Sequence, residues 1–480
     1  MAQRTPSHVC LEEFNAHDYD RSGSLTKTTH FRYSIRNGRE VVTEVSSQES
    51  ELSPGGRKVS KIASHCWRVF NGIFLPEGYP KSVRPEYLEY QIWDTIQALS
   101  SYLRGILTTK AMLEASGVGS DKASALAATI AWVIRDGFGI ISSLFFSYYA
   151  ASNIDSNAKE WRIFADVIND VGYGINMIAS VRRDWYLPLS CLASACYALC
   201  GISAGCSKAT ITAHFALQGN MADLNAKENA QETAVTLIGM VFGIFVAKRV
   251  DASPLLAWAA FLLLTALHVH ANWRCVACLR LETLNPQRAG LALAGFWAGD
   301  AKAITPQAVA ARERLWRPLL MALTGAAPQI GISLGKSGLD ANELRWISET
   351  YRDRQHAVVF ALSGKKPRER FKPAAALAPG AGPRDELLAF LQLQHLAKLL
   401  AAEGSTSAID GLRRRQLLQH SLAQAEGEAG RLWAALGAAG WSLGRVHVAA
   451  GPWRCAWGGA AVAPSPPAPP RRRRRGMRAR

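Results

Sequence analysis

Two stretches of this 480-residue chain, Trp185 to Cys206 and Ala252 to Trp273, each run for 22 residues without a charged side chain. A helix that crosses the hydrocarbon core of a bilayer needs about 20 such residues, so both qualify as spanning segments. Three more segments are apolar but less clean. Leu126 to Ala150 is long enough yet carries Arg135 and Asp136 near its middle, Ile163 to Val181 carries Asp166 and Asp170, and Thr233 to Ala247 is short. Composition alone hides this pattern, because 49% hydrophobic residues and a mean hydropathy of zero suit a soluble enzyme equally well. The crowding of apolar residues between about 126 and 273, against polar ends, is what points to a membrane.

The expected fold class is therefore mainly α, a multi-helix membrane-associated core with an appended small α/β domain. A polar N-terminal extension covers residues 1–55, the helical membrane core 56–290, a soluble α/β domain 300–460 and a disordered Pro/Arg-rich tail 461–480. Within the extension, Phe31 to Val45 alternates around Asn37-Gly38, a dipeptide that supplies the positive φ angles of a type I′ hairpin turn. Just before it, Asp18, Asp20 and Ser22 occupy the first, third and fifth places of an EF-hand loop, a candidate calcium site. Place twelve holds Thr29 where the loop should supply a bidentate Glu. A degenerate or chance loop is the competing reading.

Pro76, Pro80 and Pro85 punctuate the approach to a long helix whose Leu88, Ile92, Ile96, Leu99, Leu103 and Ile106 recur at three- and four-residue steps. That spacing makes one apolar stripe, expected to lie on another element. Gly201 and Gly205, and Gly239 and Gly243, have the four-residue spacing that lets helix backbones approach closely in lipid. Orientation is only partly legible: Arg182 and Arg183 before one uncharged segment and Lys248 and Arg249 after the next put both basic pairs on one face of a hairpin, whereas a spanning Ala252 to Trp273 sends Arg274 and Arg280 to the other. After Asn285-Pro286 the pattern changes to short strand-like runs (330–334, 356–362, 445–450) between helices near 339–352, 385–403 and 416–436, with a glycine-rich surface loop at Gly380.

The net charge of +17 invites a nucleic-acid reading, but seven of the positives are arginines within the last ten residues. What remains is spread without aromatic interleaving, so no nucleic-acid partner is expected. The basic tail is a solvated end, or a weak anchor for anionic head groups. Among the nine cysteines, Cys191, Cys196, Cys200 and Cys206 sit in an apolar run as small hydrophobes, and the Cys275/Cys278 pair has no second pair to complete a zinc site. His268 and His270, two apart on a helix, point to different faces. The start of the chain shows neither a signal peptide nor a transit-peptide pattern, since Glu12 and Glu13 arrive early.

Three enzyme-like strings fail on context. Gly331, Ser333 and Gly335 match GxSxG without a downstream Asp and His in the required order, and Gly201, Ser203 and Gly205 match it inside an apolar helix. Gly335-Lys336-Ser337 mimics the end of a P-loop whose first glycine is replaced by Ile330. With no catalytic constellation the chain is not expected to be an enzyme, and no cofactor is expected.

Five stretches, 74–94 (FLPEGYPKSVRPEYLEYQIWD), 127–139 (AATIAWVIRDGFG), 155–170 (DSNAKEWRIFADVIND), 214–232 (HFALQGNMADLNAKENAQE) and 272–285, resemble the root UV-B sensitive (RUS) family, in that family's order. A weaker likeness extends to Trp441 and Trp457. The resemblance implies a eukaryotic membrane protein with a helical core, linked in plants to UV-B tolerance of roots, early development, vitamin B6 balance and auxin transport. It also implies a paralogous RUS protein as a partner, alongside the lipid bilayer, and an organelle such as the plastid as one location. It brings no reaction and no catalytic residue.

Ionisable groups at membrane depth are costly unless paired, so Arg135, Asp136, Asp166 and Asp170 are candidates for an intramembrane polar pocket, with Arg135 neutralising Asp166 and Asp170 across a helix pair. A structural ion pair is the alternative. His214, Asn220, Asp223, Lys227, Glu228 and Gln231 crowd donors and acceptors into the connection between two apolar segments, where they suit either a polar ligand or a capped, solvated loop. The functions to separate are a scaffold or regulatory membrane component, a small-molecule carrier using the intramembrane charges, and a membrane-bound enzyme of unknown reaction.

Overall fold

The computed structural model describes residues 67–457 apart from 68, 117–124, 151–155, 252, 316–328, 364–369, 404–409 and 449–450, and, ahead of them, four strands between 18 and 46. Two antiparallel pairs form there: β1 (Asp18–Tyr19) with β2 (Leu25–Lys27), and β3 (His30–Arg36) with β4 (Arg39–Ser46). The second pair places Arg36 opposite Arg39, and the Asn37-Gly38 turn expected between them lies outside the described residues. Of the calcium candidates, Asp18 opens β1, while Asp20 and Ser22 lie outside the described residues, as does the Pro/Arg tail.

The chain divides into two compact units, both discontinuous: residues 1–109 with 209–271, and residues 110–208 with 272–480. Its long helices are α1 (Tyr87–Ala115), α2 (Ala125–Ala150), α3 (Ala158–Val181), α4 (Tyr186–Phe215), α5 (Met221–Val250) and α6 (Pro254–Ala277). Four segments are long and apolar enough to cross a membrane: Ala128–Tyr148, Arg183–Phe215, Met221–Val250 and Pro254–Ala277. They correspond to α2, α4, α5 and α6. The short apolar segment at 233–247 is thus the inner part of a 30-residue helix whose first three turns are polar. α3 does not reach that hydropathy, and it buries Asp166 and Asp170 on one side.

In the first unit, α1 and α5 meet where their sequences allow it. Gly239 and Gly243 leave no Cβ, and their places are taken by the Tyr102 ring and by the Ile106 side chain. The apolar stripe of α1 does not lie wholly on a neighbour, however. Leu88 and Ile92 are 47% and 52% exposed, and only its later part, around Leu103 and Ile106, reaches α5. The buried face of α1 instead carries polar Gln97, Ser100, Arg104 and Thr108, three or four residues apart, beside Leu107 and Ala111, while Tyr87, Tyr90 and Gln91 are buried nearer its start. Periodicity located the stripe correctly; which face turns inward depends on the solvent outside, which periodicity does not report.

In the second unit, α2 and α4 touch where a Cβ on Gly139 would strike Ser194, and α3 and α4 where Gly172 leaves room for Tyr197. The C-terminal part is a separate kind of structure. Its sheet has the order β5-β7-β6, with β5 (Gln329–Ile330) parallel to β7 (Arg370–Leu377) and β6 (His356–Ser363) antiparallel to it. Helices α7 (Pro286–Trp297), α8 (Ala341–Thr350), α9 (Pro383–Glu403) and α10 (Gly411–Ala438) surround it. Three of these helix starts are chemically marked. Asn285 accepts from the Arg288 amide ahead of Pro286, Asp340 and Glu343 form a reciprocal capping box, and Asp410 accepts from the Arg413 amide. The core gathers Leu284, Leu293, Phe390, Leu396, Leu418 and Trp441. Residues 445–450, expected to form a strand, contribute one bridge between Val446 and Leu284. Gly331, at φ +81°, belongs to no serine elbow: it lies backbone to backbone against Gly451, where neither residue has room for a Cβ.

Candidate functional site

The richest polar assembly in the first unit forms where the approach to α1, the end of α4 and the start of α5 converge. Val83 bridges to Ala216, and the Leu217 amide donates to the Ser82 carbonyl, so the chain before α1 is fastened to the α4–α5 connection. The polar first turns of α5 complete the fastening. The Asp223 carboxylate accepts from the Glu77 amide at 2.8 Å, Lys227 donates to the Gly72 carbonyl at 2.5 Å, and Gln231 donates to the Phe74 carbonyl at 2.6 Å. Asp223, Lys227 and Gln231 are four residues apart, hence on one helix face. These three residues, expected in a loop, therefore lie on a helix and hold the end of the helical segment 69–74 and the turn at Glu77. Asn220 sits at the helix N-cap without a side-chain capping bond.

Inside this clamp, His214 Nε2 lies 2.9 Å from Glu86, and Arg84 donates to the His214 carbonyl at 3.3 Å. Thr212 faces the Glu228 carboxylate at 3.4 Å. The rings of Tyr87 and Tyr90 meet Phe215 edge-on, at 5.3 and 5.1 Å. Burial pushes the Tyr87 phenol up to about 12, so it is a neutral donor at physiological pH. Gln231 and Gln91 approach its hydroxyl as hydrogen-bonding neighbours and partly offset that rise, while Glu228 adds to it. Further along α1, Gln97 pairs with His268 of α6 at 2.8 Å, and the Ser100 hydroxyl donates to the Gln97 carbonyl.

Among the described residues, the buried hydroxyls of Ser82 and Thr108 on this face have no hydrogen-bond partner. Each such atom costs about 1–3 kcal/mol if nothing pairs with it. Sequence reading found His214, Asp223, Lys227, Glu228 and Gln231 but not Tyr87, Gln91, Gln97, Ser100 or Thr108. The signal was available as the polar residues opposite the apolar stripe of α1.

The intramembrane charges are arranged otherwise than expected. Arg135 does not neutralise Asp166 and Asp170; it bonds its neighbour Asp136 at 2.9 Å and lies over the Trp132 ring. Asp166 instead has Arg162 at 3.7 Å, one turn earlier on the same helix. That i,i+4 pair was legible in the sequence. Asp166 and Asp170 are both buried on α3. Among the described residues, no group of three or more His, Cys, Asp or Glu side chains is placed to hold a metal ion.

The sequence model of a vitamin B6 photo-protection and homoeostasis domain matches residues 60–300. The chain is 40% identical over 250 residues to protein root UVB sensitive 3 of Arabidopsis thaliana, covering 52% of this chain and 57% of that protein. It is 37% identical over 274 residues to RUS family member 1 of Dictyostelium discoideum, covering 56% and 51%. It is 30% identical over 227 residues to protein root UVB sensitive 2, chloroplastic, of Arabidopsis thaliana, covering 47% and 52%. The chain thus spans about half the length of the curated relatives it matches. No solved structure matches it. The whole polar face of α1 and its clamp lie within the matched residues.

Proposed function

The chain belongs to the root UV-B sensitive family, and on that footing we propose that it is a multi-pass membrane protein that binds a small polar molecule on the buried face of α1, in the service of vitamin B6 homoeostasis. The observation that carries this reading is the inversion of α1, with polar side chains inside and Leu88 and Ile92 outside. Membrane embedding is supported by the large apolar side chains that α2, α5 and α6 turn outward, among them Leu144, Phe145, Phe242, Phe245, Leu262 and Leu263. In water such a surface would drive aggregation; in hydrocarbon it costs nothing. The buried Tyr87, Gln91 and Thr108 groups supply hydrogen bonds of fixed direction, as a pocket for a small polar molecule requires. The protein binds and passes its ligand without converting it.

The vitamin B6 link comes from the description of the matched domain, so B6 vitamers are the first probes. Purified protein in lipid nanodiscs is expected to bind pyridoxal, pyridoxine or pyridoxal 5′-phosphate saturably in equilibrium dialysis, and Gln91→Leu and Thr108→Val are each expected to weaken that binding about tenfold, equivalent to one hydrogen bond of about 1.4 kcal/mol. Absence of binding by a folded wild-type protein would overturn the reading.

A scaffold role is favoured by a different observation. Gly201 and Gly205 of α4 have open space where a Cβ would stand, unlike Gly239 and Gly243, so a helix of a paralogous partner can approach there. Loss of paralogue co-purification in Gly205→Leu, with vitamer binding unchanged, would establish that role separately.

A further inference from the structure

The first turn of α3 holds a second polar assembly, wholly within the second unit. Lys159, Glu160 and Arg288 are at most 2% exposed, and the side chain of Glu313 is 1% exposed. The Glu313 carboxylate accepts a hydrogen bond from the Lys159 ammonium, and Arg288 Nε lies 3.2 Å from its other oxygen as an ion pair outside hydrogen-bond geometry. The remaining Arg288 donors go to the Thr283 hydroxyl at 3.3 Å and the Ser156 carbonyl at 3.1 Å. Asn285 reaches across to Asn157 at 3.1 Å. These bonds tie residues 156–160 to residues 283–313, and Ile163, Val276 and Leu315 close the apolar side.

Glu160 is left out. Neither of its carboxylate oxygens has a hydrogen-bond partner, although the groups facing it are charged: Lys159 on its own turn, Arg288 from α7 and Glu313 beyond it. Lys159 and Arg288 both pair with Glu313, so an ionised Glu160 would be a buried carboxylate beside another carboxylate, with no side-chain hydrogen-bond donor of its own among the described residues. A protonated Glu160 removes that conflict.

We propose that Glu160 is a proton-binding site and that this cluster is a pH-operated latch, closed when Glu160 is neutral, which fastens the first turn of α3 to residues 283–315. Burial, reinforced by Glu313 and opposed by Arg288 and Lys159, pushes the Glu160 carboxyl from 4.5 up to about 7. A carboxyl raised in the closed state binds its proton more tightly there than when the latch opens. The closing it favours is complete below about 4.5, is lost as pH rises towards about 7, and changes no further above that.

The test is amide hydrogen exchange of residues 156–163 in the full chain held in nanodiscs, corrected for the pH dependence of the intrinsic rate. Protection is expected to fall about tenfold per pH unit between about 5 and 7 and then level off. Glu160→Gln, a permanent mimic of the neutral acid, is expected to keep this turn protected and abolish the slope. Glu313→Gln frees Lys159 and Arg288 to pair with Glu160, and is expected to move the slope to lower pH. A flat wild-type profile, or an unchanged slope in Glu160→Gln, would overturn the latch. If Glu160→Gln fails to fold, Glu313→Gln decides: a slope that stays in place contradicts the proposal and a downward move supports it.

Discussion

Helices α1 and α10 are of nearly equal length, 29 and 28 residues, and are built inside out with respect to each other. α10 buries Leu417, Leu418, Leu422, Leu432 and Leu436 and turns arginines, glutamines and glutamates outward. α1 buries Gln91, Gln97, Ser100, Arg104 and Thr108 and turns Leu88 and Ile92 outward. The same rule explains both, since each helix shows its surroundings the face that is cheapest there. On the proposed reading water surrounds the first and hydrocarbon the second. The interiors differ accordingly. One buried network in the C-terminal part centres on Gln392, which bonds His356, Tyr351, Ser421 and the Leu418 carbonyl. Among the described residues, the hydroxyls of Thr108 on α1 and Ser82 ahead of it keep no hydrogen-bond partner, and a fully satisfied network rigidifies whereas an unsatisfied one awaits a partner.

The contrast can be attacked by substitution. Phe390→Ala in the C-terminal core, where the ring is 1% exposed, is expected to cost about 3–5 kcal/mol in chemical unfolding of that part. Phe242→Asp on the outer side of α5 is expected to cost about 3 kcal/mol in a membrane-insertion assay; in a water-exposed helix the same change would be near neutral, and that result would break the contrast. Thr108→Val removes an unpartnered hydroxyl, so it is expected to raise the melting temperature of the ligand-free protein, a gain of about 1–2 kcal/mol, while weakening ligand binding. Asp340→Ala deletes half of a capping box and is expected to cost about 1 kcal/mol, read by hydrogen exchange of α8. The smallest effect is a pH drift. Burial holds the His356 imidazole below its usual 6.5, opposed by its Gln392 bond, so the C-terminal part loses stability as pH falls below about 6.5 and is unaffected above it. The α3 latch responds to pH in the opposite direction.

Much of the helical architecture was legible because lipid imposes a coarse demand, and Trp185 to Cys206 and Ala252 to Trp273 meet it with no charge at all. What escaped sequence reading has local causes. α5 looked short because Asp223, Lys227 and Gln231 form its polar first turns, which fasten the chain before α1 rather than face lipid. β7 was missed because Pro373 argues against a central strand. It is tolerated because β5 pairs with β7 only at Ala374 and Ala375, so no β5 partner stands opposite Pro373. Expected pairing of Arg135 with Asp166 and Asp170 gave way to neighbours on the same helices, Asp136 and Arg162. The Glu160 cluster joins residues more than 150 positions apart, Lys159 to Glu313, and no local pattern announces it.

The central claim, that the outward apolar faces of the helices meet lipid, is tested most directly by nitroxide labels at Leu144, Phe245 and Leu263, with Leu412 of α10 as a water-facing control of similar exposure, 69% against 64–72%. In nanodiscs the first three are expected to collide more often with oxygen than with a water-soluble nickel chelate, and Leu412 is expected to show the reverse. Collision profiles at Leu144, Phe245 and Leu263 that match that of Leu412 would contradict it.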